Sequence, residues 1–171
     1  RSVLYMPGSN ARALEKGRRL PADGLILDLE DAVAPDSKLQ ARQQITEALQ
    51  QGGYGAREIL VRINGLDTPW GHEDTVAAAR SGAEGVLVPK VDSAAQAHQV
   101  ERIMTEAGAP PEQRIWCMME TPLGMLHAQE IAASTPRLAG FVMGTSDLAK
   151  DLHCQHTPMR LPMITSLGLC M

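Results

Sequence analysis

Six short apolar runs, each separated from the next by an amphipathic or polar stretch, constrain how this chain can fold. The runs are SVLYM, LILDL, EILVRIN, GVLVPKV, RIWCMME and LAGFVMG. Most are apolar at consecutive positions, the pattern of strands buried on both faces. The stretches between them read as helices over residues 10–20, 37–50, 73–81, 94–107 and 124–134, and a further helix begins in LPMITSLGLCM. Asn10 stands at the N-cap of the first, and Gly52-Gly53 stops the second. Strand–helix alternation of this kind gives a parallel sheet covered by helices.

Two closures satisfy that pattern, an open doubly wound sheet or a (β/α)8 barrel. The turn after the first strand, PGSNAR, lacks the G-x-G-x-x-G spacing of a dinucleotide site. Polar residues instead collect at several strand ends: Asp28, Glu30 and Asp31, then Arg62 and Asn64, Lys90, Glu120 and Asp147. In a barrel those ends converge on one mouth, whereas in an open sheet only neighbours at the switch point meet. The expectation is therefore an α/β chain of the (β/α)8 TIM-barrel class. A barrel of eight units typically needs about 250 residues, and this chain has 171. We expect residues 1–171 to form a single partial barrel of about six βα units, with strands seven and eight and a C-terminal lid region outside it. No internal repeat or low-complexity linker suggests a second domain.

A net charge of -4, a pI near 5.7 and an aromatic fraction of 3% argue against nucleic acid as a partner. No apolar stretch approaches the roughly 20 residues of a membrane helix, and no charged-then-apolar leader opens the sequence. The cysteines Cys117, Cys154 and Cys170 are odd in number and scattered, which suits the reducing cytoplasm or an organelle matrix.

Glu120 closes RIWCMME before Thr121-Pro122, and Asp147 follows the sixth run in GTSD. Two carboxylates at neighbouring strand ends, with water completing the shell, suit Mg²⁺; the plainer reading is that each caps a helix or pairs with a base. Arg62 lies in an otherwise apolar strand, where a guanidinium needs an anionic partner. That partner is an acid at the neighbouring strand end, Glu30 or Asp31, or a substrate carboxylate or enolate; the two are compatible. Glu30 and Asp31 are assigned to orienting Arg62 or metal-bound water. The stretch YMPGSNARALEK could cradle an anion with Arg12 and Lys16, or simply be a turn and N-cap. HCQH matches no standard zinc spacing, and GTSD lacks the G-x-S-x-G elbow. Lys90 is read as an ion-pairing residue, Cys117 as core, and Met118 and Met119 as packing, one of them facing the mouth if alternation holds.

With these residues in view, the chain resembles the citrate lyase beta-subunit and malyl-CoA lyase family of the HpcH/HpaI aldolase superfamily. The resemblance runs in order through RSVLYMPGSN, LDLEDAVAPDSKLQAR, VRINGLDTPWGHED, GVLVPKV, METPLGM and GTSDLAKDL. It implies a (β/α)8 barrel, assembly as homotrimers or multiples of trimers, Mg²⁺ as cofactor and a CoA thioester as substrate. The implied reaction is carbon–carbon cleavage of a malyl-CoA, citramalyl-CoA or citryl thioester to a keto acid and an acetyl thioester. By motif, Glu120 and Asp147 would hold magnesium and Arg62 would contact substrate. Backbone at Met119 and Ser146 would enclose the keto acid, while Tyr5, Met6, Asn10 and Lys16 would lie along the CoA. A further acid after the eighth strand, poised over a neighbouring subunit's site, would fall outside this chain. The alternatives are a non-catalytic thioester-binding barrel, or a citrate lyase complex subunit that works on an acyl carrier protein.

Overall fold

The computed structural model describes residues 2–171; Arg1, first residue of the RSVLYMPGSN motif, lies outside it. Six strands form one parallel sheet in chain order: β1 (Val3–Pro7), β2 (Gly24–Asp28), β3 (Glu58–Arg62), β4 (Gly85–Val88), β5 (Arg114–Met119) and β6 (Leu138–Met143). Between and after them come α1 (Ala11–Gly17), α2 (Lys38–Gln51), α3 (Gly71–Arg80), α4 (Ala94–Glu106), α5 (Pro122–Leu126), α6 (Ala128–Ala132), α7 (Thr145–Asp151) and α8 (Ile164–Leu169). Every expected strand and helical region is present, in the expected order. Among the described residues, no helix is long and apolar enough to cross a membrane.

Side-chain alternation along the strands sorts residues onto two faces. Leu25, Leu27, Val61, Val86, Val88, Ile115, Cys117 and Met119 point toward the helices and form the larger core with Ala41, Ile45, Ala97 and Val100. Ile26, Leu60, Leu87 and Met118 point the other way and form a second cluster with Trp116 and Val142. Burial on both faces is what apolar residues at consecutive positions require.

The second cluster fills a concave face. The Tyr5 hydroxyl of β1 lies 4.0 Å from Met118 Sδ of β5, although three strands separate them in the sheet. Contact at that range requires the sheet to curl, as a barrel wall does. A cavity of about 350 Å³ lies within the curl, lined by Tyr5, Ile26, Leu60, Trp116 and Val142 among others. The architecture is thus that of consecutive βα units of a (β/α)8 barrel, with β1 and β6 at the two ends of a sheet not closed on itself. The helix expected over 124–134 is broken into α5 and α6 at His127, whose Nδ1 lies 2.7 Å from the carbonyl oxygen of Asp92. Thr121 starts α5 earlier than expected by accepting from Gly124 N–H, with Pro122 in the first turn.

Candidate functional site

The strand ends carry the polar groups, and register decides which of them meet. Asp28 and Arg62 are the last residues of β2 and β3, stand directly opposite one another and share the concave face. Arg62 donates from Nε to Asp28 Oδ1 at 2.6 Å and from Nη2 to Oδ2 at 2.5 Å, a bidentate fork. The same carboxylate accepts the Glu30 N–H at 2.9 Å and the Ala32 N–H at 3.1 Å, so it also shapes the loop after β2. Arg62 Nη1 lies 2.8 Å from Glu30 Oε2 and 3.5 Å from Asp31 Oδ2, and the guanidinium sits 5.2 Å above the Tyr5 ring. Burial disfavours the charged guanidinium, but Asp28 and Glu30 more than offset it and hold the group firmly protonated.

Asp28 therefore does most of the work assigned from sequence to Glu30 and Asp31. The Glu30 side chain is 11% exposed and joins the pair as expected, while that of Asp31 is 61% exposed and touches Arg62 only at 3.5 Å. The loop bearing them is pinned from behind. Lys38, buried at the start of α2, donates to the carbonyls of Leu29 and Glu30 at 2.7 Å each. Asn64 donates to Leu29 O at 2.9 Å and to Asp74 Oδ2 at 2.6 Å, and Arg42 Nε holds Asp74 Oδ1 at 2.6 Å. That network explains why the VRINGLDTPWGHED stretch carries a fully buried aspartate.

Glu120 follows β5 and is 2% exposed. Its Oε1 accepts the Lys90 backbone N–H at 2.8 Å. Its other side packs so closely on Gly144 that a Cβ there would overlap the carboxylate. Burial lifts the Glu120 pKa to about 7; the Lys90 N–H and ammonium oppose this, and the charges of Glu30 and Asp147 add to it. Asp147 enters from the first turn of α7, with Oδ2 3.2 Å from Lys90 Nζ. Lys90 Nζ also lies 2.7 Å from Glu30 Oε1. Burial pulls this ammonium's pKa down, but Glu30, Asp147 and Glu120 outweigh that and leave it raised. Ion pairing is thus what Lys90 does, as its sequence context suggested.

Arg62 and Lys90 face four largely buried carboxylates, Asp28, Glu30, Glu120 and Asp147, so acids outnumber bases even with Glu120 partly protonated near neutral pH. Such an excess favours a divalent cation. Among the described residues no three His, Cys, Asp or Glu side chains gather around one point, so no closed protein cage is built. Two carboxylates at an open mouth fit Mg²⁺, which retains several waters and takes one or two protein ligands. Beside the cluster, a cavity of about 840 Å³ shares Glu30, Asp31 and Lys90 and extends past Asn64, Trp70 and Thr121, without Glu120 or Asp147 in its wall.

The remaining sequence-derived residues are scattered. Tyr5 joins the Arg62 cluster on the concave face. The Met6 side chain is 6% exposed and packs in the helix-facing core, so only its backbone can meet a ligand. Asn10 accepts the Ala13 N–H at 3.1 Å as the cap of α1. Lys16 lines a separate shallow groove of about 450 Å³ with Arg12, Glu15 and Arg19. The Met119 side chain is fully buried toward the helices, its carbonyl accepting the Gly144 N–H at 3.0 Å, whereas Met118 faces inward, 3.7 Å from Arg62 Nη1. Ser146 is exposed beside Asp147 on α7.

Fold and site together define a barrel-type α/β protein whose strand-end mouth gathers carboxylates around Arg62 and Lys90. The chain belongs to the HpcH/HpaI aldolase/citrate lyase family, which matches residues 1–166. It is 52% identical over 171 residues to a (3S)-malyl-CoA thioesterase of Cereibacter sphaeroides, covering 100% of this chain and 58% of that protein. It is 40% identical over 159 residues to an L-malyl-CoA/beta-methylmalyl-CoA lyase of Rhodobacter capsulatus, covering 89% of this chain and 50% of that one. Among solved structures, the citrate lyase beta subunit of M. tuberculosis complexed with oxaloacetate and magnesium superposes with a TM-score of 0.74. That pair is 26% identical, covering 98% of this chain and 72% of the other. The chain spans about half the length of the curated relatives it matches.

Proposed function

We propose that this chain forms the acid-binding part of an Mg²⁺-dependent enzyme that cleaves a carbon–carbon bond in a malyl-type 3-hydroxyacyl thioester. One observation carries the reading. Glu120, just after β5, and Asp147, in the first turn of the helix after β6, are both tied to Lys90 in a mouth where acids outnumber bases. The magnesium-bound relative supports the choice of cation.

Glu120 and Asp147 would be its protein ligands, and the bound ion would supply Lewis acidity toward the hydroxy-acid end of the substrate. Asp28 locks Nε and Nη2 of Arg62, and Nη1, 2.8 Å from Glu30 Oε2 and 3.5 Å from the exposed Asp31, is the edge assigned to substrate. A guanidinium oriented before reaction stabilises developing charge without reorganising. The hydroxyl proton passes to a carboxylate base, for which the family places an acid beyond the eighth strand. The carbon–carbon bond then breaks, its electron pair enters the thioester as an enolate, and protonation gives the acetyl thioester beside the keto acid. Backbone at Met119 and Ser146 borders the keto-acid end. Tyr5, Asn10, Lys16 and the Met6 backbone are assigned to the CoA side. Trimeric assembly, or a carrier-protein thioester in place of CoA, belongs to the same proposal, as does a place in the cytoplasm.

Hydrolysis of the same thioester is a second reading, favoured by the name of the relative that is 52% identical. An ion held by Glu120 and Asp147 would supply its Lewis acidity at the hydroxy-acid end. A hydroxyl β to the thioester carbonyl is set for carbon–carbon cleavage rather than for attack of water on that carbonyl, which places the lyase first. Incubation with Mg²⁺ and malyl-CoA separates the two. Glyoxylate with acetyl-CoA is the expected outcome, malate with free CoA would establish hydrolysis, and neither would overturn both.

A further inference from the structure

Lys90 is the one cation of the mouth to which the proposed chemistry gives no task, and its backbone and side chain are engaged separately. The N–H holds Glu120 at 2.8 Å, while Nζ spans Glu30 at 2.7 Å and Asp147 at 3.2 Å. Both acids assigned to magnesium therefore lean on a single residue. One of them, Asp147, is already neutralised by an ammonium where a metal ligand would need its lone pairs.

We propose that the Lys90 ammonium is the stand-in cation of the metal-free site, balancing Asp147 until a divalent cation arrives and then drawing back onto Glu30. The inference rests on the reading of Glu120 and Asp147 as metal ligands. The geometry shows which contact yields. The Glu30 side chain is 11% exposed, makes the shorter contact and is fixed by Arg62, so it is the anchor. Asp147 is 29% exposed and makes the longer contact, so it is the end that is released. The Lys90 side chain is 48% exposed and has room to move. Its backbone stays behind: φ is 50°, a left-handed conformation that a non-glycine residue keeps only when its surroundings hold it. The side chain can thus swing without releasing Glu120. An ammonium in this position keeps two acids from repelling each other before loading, at the cost of competing with the metal afterwards.

Titration calorimetry with Mg²⁺ tests this on the wild type, K90M and K90G, with E120Q and D147N as controls. K90M keeps the N–H and most of the stem but removes the charge. We expect it to bind Mg²⁺ about three- to tenfold more tightly than the wild type, the scale of a partly screened charge. Metal-free K90M should melt lower and gain more in Tm on loading. If K90M does not fold, K90G, which relieves the positive φ, gives the same comparison. Unchanged or weaker affinity in these variants would mean that Lys90 prepares the acids for metal, and would overturn the exchange while leaving the site intact. Absence of Mg²⁺ binding by the wild type, or binding indifferent to E120Q and D147N, would overturn the metal site and the exchange together.

Discussion

Replacing Asp28 by asparagine should be the most damaging near-isosteric change at the mouth. The carboxylate is fully buried and accepts four hydrogen bonds: two from Arg62 at 2.5 and 2.6 Å, and two from the Glu30 and Ala32 N–H groups at 2.9 and 3.1 Å. An asparagine keeps one acceptor oxygen and turns the other into a donor that faces both a guanidinium N–H and a backbone N–H. Removing one partner of a buried ion pair costs about 3–5 kcal/mol. Glu30 remains 2.8 Å from Arg62 Nη1, so the lower end, about 3 kcal/mol, applies. For a domain of this size that corresponds to a fall in Tm of about 6–12 °C. Thermal and urea denaturation of D28N against the wild type measure it. A midpoint within about 2 °C of the wild type would refute the claim that Asp28 carries Arg62.

Further outcomes follow from the same geometry. G144A places a methyl group against the Glu120 carboxylate at a backbone φ of -91° that alanine tolerates. It should displace Glu120, lower Tm, and weaken Mg²⁺ binding about tenfold or more by calorimetry, the scale of one lost ligand hydrogen bond or contact. In the metal-free protein Glu120 titrates near 7, above the usual 4.5. Its contribution to stability should be full below about pH 4.5 and lost as pH rises toward 7, while Mg²⁺ affinity climbs by up to about tenfold per pH unit over that range. Calorimetry at pH 6 and 8 checks the sign. Burial pushes the Cys117 thiol up to about 12. Iodoacetamide at pH 8 should spare it in the folded protein while modifying the partly exposed Cys154, as read by mass spectrometry.

What the sequence discloses here follows from periodicity, and what it hides follows from register and loops. Continuous apolar runs such as GLILD, short and alternating with helical stretches, fit strands buried on both sides, which is why β1 to β6 were legible to within three residues. The Asp28–Arg62 pair was half legible. Both residues close an apolar run, but only the β2–β3 register sets one opposite the other, and the more numerous acids that follow drew attention to Asp31. Alternation could have separated Met6 from Tyr5, since neighbours in a strand face opposite sides and only Tyr5 looks toward Arg62. Ion pairing by Lys90 was legible, but not with which acids, because its left-handed backbone and its reach to Glu30 and Asp147 bring together three separate segments of the chain. The break at His127 likewise depends on a bond to Asp92, 35 residues away.

The central claim is that Glu120 and Asp147 close on one hard cation beside Arg62. A crystal structure grown with Mn²⁺ and oxaloacetate, read by anomalous scattering, tests it most directly. The account predicts a single strong peak with an oxygen of each carboxylate at about 2.0–2.2 Å and the keto acid within reach of Arg62. A peak held by only one of the two acids, or one seated elsewhere on the barrel, would contradict it.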